Sequence, residues 1–180
     1  DAANTAMQFF PQHLRHNEDG ITTKAGDAFH LQPWQQSIVA NLFGWKRPDG
    51  TRRYRECLIY VPRKNGKSMF AAALALLVLF LDSERGQQNY IAAGDRDQAG
   101  HIFRQARGMV EQSPLLRGMA RVYGGNAQAG QSKSIVKKDG ISFLRVISAI
   151  GEAAHGGGTH LGIIDELHVQ PSRELVDVIL

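Results

Sequence analysis

The chain has a single cysteine, Cys57, in 180 residues. One thiol excludes a disulfide framework and any cysteine-rich zinc site, and it fits a reducing compartment. Long apolar runs are also lacking. The longest, Met69 to Leu81, spans 13 residues, whereas a bilayer-crossing helix needs about 20. That run follows a Lys-Ser pair deep in the chain, so it does not read as a signal peptide either. There is no acidic excess: 21 Lys+Arg against 17 Asp+Glu leave +4. This balance excludes an acidic disordered tail and permits an anionic partner without demanding one. Internal repeats and low-complexity segments are absent. The seven histidines show no paired ligand spacing, so His155, His160 and His168 read as loop residues rather than metal ligands.

What is present is an ordinary globular composition, 43% hydrophobic, 21% charged and 8% aromatic. It is long enough for one domain with a real core and too short for two. The chain opens on Asp1 instead of Met and stops in what reads as a helix, the signature of a fragment or a processed product. The positive charge is concentrated. From Lys46 to Lys64 there are seven Lys and Arg against Asp49 and Glu56, so 7 − 2 = +5 and the remainder sums to −1. That segment could contact a nucleic-acid backbone or an anionic neighbouring subunit. A solvated hairpin face explains it equally well.

Residues 1–28 are polar and weakly patterned and read as an irregular lead-in. Apolar residues at 34, 38, 39, 42 and 43 form a helical stripe, with Pro33 near its start and Gly44 at its end. Pro48-Asp49-Gly50 signals a turn in a basic loop or hairpin over 46–56. Cys57 to Val61 reads as a short strand of the fully buried parallel kind. A loop over 62–66 then leads to a helix over 67–81 that is apolar nearly all round, hence buried.

Asn89 to Ala93 forms a second strand, ended by Gly94. Asp95 is placed to cap a helix running to Gln112, with Ile102, Phe103, Ala106, Met109 and Val110 facing inward. Residues 133–137 and 141–147 pair as a hairpin around Asp139-Gly140. A Gly156-Gly157-Gly158 loop follows, then a strand over 161–164, and a last helix opened by Pro171 and Ser172. Strands alternating with helices predict an α/β fold with a mostly parallel sheet flanked by helices.

Two motifs lie where such a sheet places ligands, beyond the carboxyl ends of its strands. The first is Tyr60-Val61-Pro62-Arg63-Lys64-Asn65-Gly66-Lys67-Ser68, a strand, a tight loop and a helix start. Gly66 admits close approach of a phosphate, the helix N-terminus offers free N–H groups, Lys67 reaches the β- and γ-phosphates, and Ser68 can hold Mg²⁺. Val61 stands where the usual phosphate-loop pattern has its first glycine. A basic turn before a core helix is the ordinary alternative.

The second motif is Leu161 to Ile164 followed by Asp165-Glu166. Asp165 suits a Mg²⁺ site, and Glu166 suits orientation and deprotonation of an attacking water. An acidic helix start after a strand is common, but here it falls 165 − 67 = 98 residues after Lys67 in the same expected sheet. A third element, Gln32-Pro33-Trp34-Gln35, precedes the first strand. Gln35 could offer its amide donor and acceptor to an adenine edge, with Trp34 as packing. Otherwise it is a surface glutamine on an amphipathic helix.

In this order, Leu31-Gln32-Pro33-Trp34-Gln35, Val61 to Ser68 and Gly162-Ile163-Ile164-Asp165-Glu166-Leu167-His168 resemble the N-terminal ATPase domain of the large terminase subunit. That subunit is the DNA-packaging motor of tailed double-stranded DNA bacteriophages. The resemblance covers residues 30–170 and makes the missing leading glycine an expected departure. It implies a P-loop NTPase of the ASCE type over residues 29–180, using ATP and Mg²⁺ in the host cytoplasm. Such a domain would drive double-stranded viral DNA into a procapsid as a homo-oligomeric ring on a portal, together with a small terminase subunit.

By position, the resemblance makes Gln35 the adenine contact and Pro62, Arg63, Lys64, Asn65, Gly66, Lys67, Ser68 and Met69 the nucleotide-binding loop. Ser68 and Asp165 become the metal ligands, Glu166 the catalytic carboxylate, and Arg63 a sensor of the γ-phosphate acting beside Lys67. The family's coupling motif and its RNase H-like nuclease domain would lie beyond Leu180, so ATPase and no nuclease activity is expected of these residues. Arg121, Arg145 and Arg173 are candidates for an arginine finger acting on a neighbouring subunit, although no spacing picks one and a plain surface arginine is the ordinary reading of each. Two other readings stay open: a superfamily-2-type helicase, which Asp165-Glu166-Leu167-His168 also fits, and a non-hydrolysing nucleotide- or DNA-binding module.

Overall fold

The structure is a computed structural model that describes residues 1–93, 96–124, 133–148, 158–167 and 176–177. The expected glycine stop and cap at Gly94 and Asp95 lie outside the described residues, as do Gly156, Gly157 and the opening of a last helix at Pro171-Ser172. Among the described residues the elements run α1 (Ala2–His13), α2 (Pro33–Gly44), α3 (Lys67–Leu81), β1 (Gln88–Ala93), α4 (Arg96–Gln112), α5 (Pro114–Met119), β2 (Ala120–Tyr123), β3 (Ser134–Lys137), β4 (Phe143–Ser148) and β5 (Thr159–Ile164).

The five strands form one sheet in the order β2-β3-β4-β1-β5. β1 pairs in parallel with β4 and β5, whereas β2–β3 and β3–β4 are antiparallel. The sheet is therefore mixed, with its parallel half carrying the two expected strands at 89–93 and 161–164. The β3–β4 pair is the expected hairpin. Its turn is tied by Asp139, which accepts from the Ile141 and Ser142 amides and from the Ser142 hydroxyl.

The core lies between one sheet face and the helices. α3 carries Phe70, Leu76, Leu77 and Leu79 fully into it, each contributing about 1.5–3 kcal/mol by burial, and α4 adds Ile102, Phe103, Ala106, Met109 and Val110 as its pattern predicts. On β1 the period-2 alternation sends Ile91 and Ala93 to this core. Tyr90 and Ala92 join Ile147 in a smaller cluster on the opposite face.

Two expectations do not hold. The lead-in is not irregular: Asp1 caps α1 by accepting from the Ala3 amide, and Ala6, Phe9, Phe10 and then Leu14 enter the core. Their spacing is helical, but Pro11 in the last turns and the polar residues between them mask it. Gly44 of α2 meets α1 closely, since a Cβ there would fall 2.8 Å from that of Ala3.

The second concerns residues 57–61, which form no strand of the sheet. They run without ladder pairing into the loop, with Leu58 82% and Tyr60 97% exposed and only Ile59 and Val61 turned inward. Apolar composition by itself does not separate a strand buried on both faces from an extended segment with one face on the core. Here the second arrangement holds, with Ile59 packed against the main core.

Candidate nucleotide-binding site

The loop over 62–66 is fixed by its own backbone. Asn65 Nδ2 donates to the carbonyls of Pro62 (3.1 Å) and Arg63 (3.3 Å). Lys64 (φ 66°) and Gly66 (φ 71°) adopt left-handed conformations. A Cβ at Gly66 would meet nothing within 4 Å, so glycine is required there for its φ and not for space.

Gly66 is the N-cap of α3 and has no side chain to satisfy the helix start. Within the described chain no hydrogen bond takes up the amides of Gly66, Lys67, Ser68 or Met69, and the first one used is Phe70 N to Gly66 O at 2.9 Å. Four open N–H groups at a helix N-terminus form an anion-binding cradle.

β5 delivers the acidic pair to this cradle. Asp165 N donates to Ala92 O (2.9 Å), extending the β1–β5 ladder by one residue. Asp165 Oδ1 then accepts from the Glu166 amide at 2.9 Å, and Glu166 adopts φ 50°. A non-glycine residue in the left-handed region is costly, and such strain concentrates at functional sites. Lys67 Nζ lies 2.9 Å from Asp165 Oδ1 and 3.7 Å from Glu166 Oε1. Its pKa is raised, first by the hydrogen bond to Asp165 and then by the charges of both carboxylates, against an opposing effect of burial.

The half-buried Ser68 hydroxyl makes no hydrogen bond within the described chain. Among the described residues no group of three His, Cys, Asp or Glu side chains gathers as a metal cage. One carboxylate and one hydroxyl, both hard oxygen donors, suit Mg²⁺, which keeps several waters and takes few protein ligands. They do not suit zinc.

The third expected element sits next to this loop. Trp34 packs edge-on against Phe70 (centroids 5.3 Å apart, 72° between planes), joining the first turns of α2 and α3. Gln35 is not a surface glutamine: it is 4% exposed, and its Oε1 accepts from the Gln32 amide at 2.8 Å. The acceptor half of its side chain is thus engaged in capping α2.

Arg63 and Lys64 are exposed on the loop, and Met69 packs against the core. Of the finger candidates, Arg121 is exposed on β2, whereas Arg145 on β4 is half-buried with its guanidinium 4.5 Å from the Phe143 ring centroid. Arg173 lies outside the described residues, as do His155 and His168. His160 is no loop residue. It sits on β5, and its Nε2 contacts Asp82 (2.9 Å) while its Nδ1 contacts Glu84 (3.0 Å). Arg52 from the basic hairpin pairs with the same Asp82 at 2.5 Å. This cluster joins three separate chain segments, and no local sequence signal announces it.

A mixed α/β sheet flanked by helices, with a glycine-capped loop opening a buried helix and an acidic pair at a strand end, defines the class: the P-loop fold of the ASCE type. Its fold matches that of the HK97 bacteriophage large terminase, with a TM-score of 0.74 at 23% identity over 98% of this chain and 34% of that one. Residues 33–180 match the family model described as "Terminase large subunit, ATPase domain", and the chain belongs to that family. Curated relatives include the terminase large subunits of Lactococcus phages SK1 and p2. Each is 30% identical over 122 residues, covering 63% of this chain and 20% of the relative. The chain thus spans about a fifth of the length of the curated relatives it matches. Among the described residues no helix is long and apolar enough to cross a membrane.

Proposed function

We propose that this chain hydrolyses ATP and is the ATPase part of a motor that moves double-stranded viral DNA into a procapsid. The motor would work in the host cytoplasm, as a homo-oligomeric ring on a portal with a small terminase subunit. The observation that carries the reading is the convergence of Lys67 on Asp165 and Glu166 at the mouth of a loop whose amides are open. Membership of the terminase ATPase family supports it.

In this reading the open amides and the Lys67 ammonium bind the β- and γ-phosphates, and Arg63 reaches the γ-phosphate from the loop. The NH₂ group of Gln35 meets the adenine. Ser68 and Asp165 would hold Mg²⁺, which neutralises charge on the phosphates when bound. Glu166 orients the attacking water and takes its proton on a carboxylate oxygen, and the ammonium offsets charge that develops on the leaving phosphate. When phosphates draw Lys67 away, its ammonium no longer competes for the Glu166 carboxylate. Nucleotide arrival therefore helps to arm the site.

The test is ATP turnover by the chain with Mg²⁺, with and without linear duplex DNA, beside Lys67→Ala. The expected result is turnover in the wild type that the substitution abolishes. ATP binding without turnover in every variant points to a non-hydrolysing module, and ATP-dependent unwinding of a partial duplex points to a helicase. Failure to bind ATP at all removes the reading.

A further inference from the structure

The basic hairpin lies at the far end of α3 from the phosphate loop. It folds around Gly50 (φ 83°), with Lys46 bridged to Arg52, Arg47 N donating to Thr51 O (2.8 Å) and Arg53 N donating to Trp45 O (3.0 Å). Asp49 stiffens the turn by accepting from the Thr51 amide (2.9 Å) and hydroxyl (2.6 Å).

Its arginines divide between two tasks. Arg52 faces the body: it pairs with Asp82 just past α3 and lies 4.6 Å from the Phe43 ring centroid. Alternation across the bridge turns Arg47 and Arg53 the other way, into solvent; Lys46, the bridge partner of Arg52, shares the Arg52 face but is exposed, as is Arg55. None of these four has an ion-pair partner within 4.0 Å among the described residues. Arg53 is also held in place, its guanidinium 5.8 Å from the Trp45 ring centroid and 5.9 Å from that of Tyr54. The two rings, 54% and 42% exposed, support the cation by their faces. A guanidinium set over an aromatic face keeps its N–H donors available for an anion.

We infer that the outer face of this hairpin, carried by Arg47 and Arg53 with Lys46 and Arg55 exposed nearby, on a base clamped by Arg52, is a docking surface for the phosphate backbone of duplex DNA. This rests on the DNA-motor reading above. Four exposed cations over residues 46–55, with Arg53 set against two rings, suit a closely spaced row of phosphates. A second copy of the chain fits less well, because the residues outside 46–64 sum to −1. Several acids are moreover already engaged: Asp19 with Lys24, Glu111 with Arg107, and Asp82 and Glu84 with His160. α3 has 15 residues, so the surface stands about 20 Å from Lys67. The duplex and the nucleotide would then engage opposite ends of one buried helix.

The experiment measures duplex binding by fluorescence anisotropy from low to moderate salt, for the chain, R47A/R53A and Lys138→Ala. Lys138 is likewise an exposed cation, on the β3–β4 turn. Thermal melting verifies that each variant is folded. The expected result is about tenfold or greater weakening for R47A/R53A, with a salt slope shallower by about 2, and little change for Lys138→Ala. Equal losses in both variants, or none in either, overturn the inference. So does unchanged duplex binding accompanied by a shift in oligomeric state, which would assign the face to a second copy. Wild-type ATP turnover is read separately: turnover without patch-dependent binding removes this inference alone, and absent turnover removes the ATPase reading whatever the duplex data show.

Discussion

The Lys67 ammonium bridges two carboxylates that are adjacent in the chain, 2.9 Å from Asp165 and 3.7 Å from Glu166. One cation from the start of a helix thereby fixes the end of a strand nearly a hundred residues further on. Two neighbouring carboxylates without it would repel each other, and the left-handed turn at Glu166 would lose a restraint.

Lys67→Met should therefore lower stability, but by no more than about 1 kcal/mol, because the ammonium is partly solvated. The pKa of Lys67 is raised in the folded state. Its contribution is thus complete below the ordinary value of 10.5 and lost as pH rises through the higher folded value. Urea unfolding of the two proteins should show a constant gap from pH 7 to 9 that closes in strong alkali.

The proton-transfer role proposed for Glu166 can be tested apart from binding. Glu166→Gln should bind ATP with Mg²⁺ as the wild type does, yet turn it over about 10²-fold more slowly or worse. Glu166→Gly should be equally inactive without melting lower, because glycine adopts φ 50° without the penalty of about 1 kcal/mol that a side chain incurs there. Single-turnover hydrolysis paired with thermal melting checks both. A glycine variant that hydrolyses normally would remove Glu166 from the chemistry.

Gln35 Oε1 caps α2 through the Gln32 amide, so Gln35→Ala should cost about 1 kcal/mol in stability and weaken ATP binding as well. Comparing ATP with a triphosphate whose base lacks the adenine edge separates the two effects. The stability loss should persist in both, and the binding loss should appear with ATP alone.

The His160 cluster has a pH signature. His160 has a raised pKa, mainly through its hydrogen bond with Asp82 and then the charges of Glu84 and Asp82, with burial opposing. Burial pushes Asp82 up, but His160 and Arg52 outweigh it and hold that carboxyl below its usual range. The histidine contribution is complete below about pH 6.5 and fades as pH rises through the folded value; the aspartate contribution exists above about pH 3.9 and fades in stronger acid. His160→Gln should thus destabilise most near pH 5 to 6, by about 1 kcal/mol, and little at pH 9. Denaturant midpoints across that range measure it.

Much of this was legible from residue patterns. The helix over 67–81, the inward face of α4 and the β3–β4 hairpin follow from apolar periodicity and turn chemistry, and the loop and acidic pair from motif spacing. The failures have physical causes. α1 hides Ala6, Phe9 and Phe10 among polar residues and a proline, so its period is weak. Residues 57–61 have a strand's composition, but ladder pairing depends on a neighbour that composition does not specify. Gln35 looks solvent-facing because capping uses its polar end while tertiary packing covers the rest. His160, Asp82, Glu84 and Arg52 meet only through the fold.

The most direct test of the central claim is calorimetric titration of ATP with Mg²⁺ into the wild type, Lys67→Ala and Glu166→Gln. The account predicts comparable affinity for the wild type and Glu166→Gln, with Lys67→Ala about tenfold weaker or more, the cost of losing one charged phosphate contact. Equal affinity in all three proteins, or no binding in any, would contradict it.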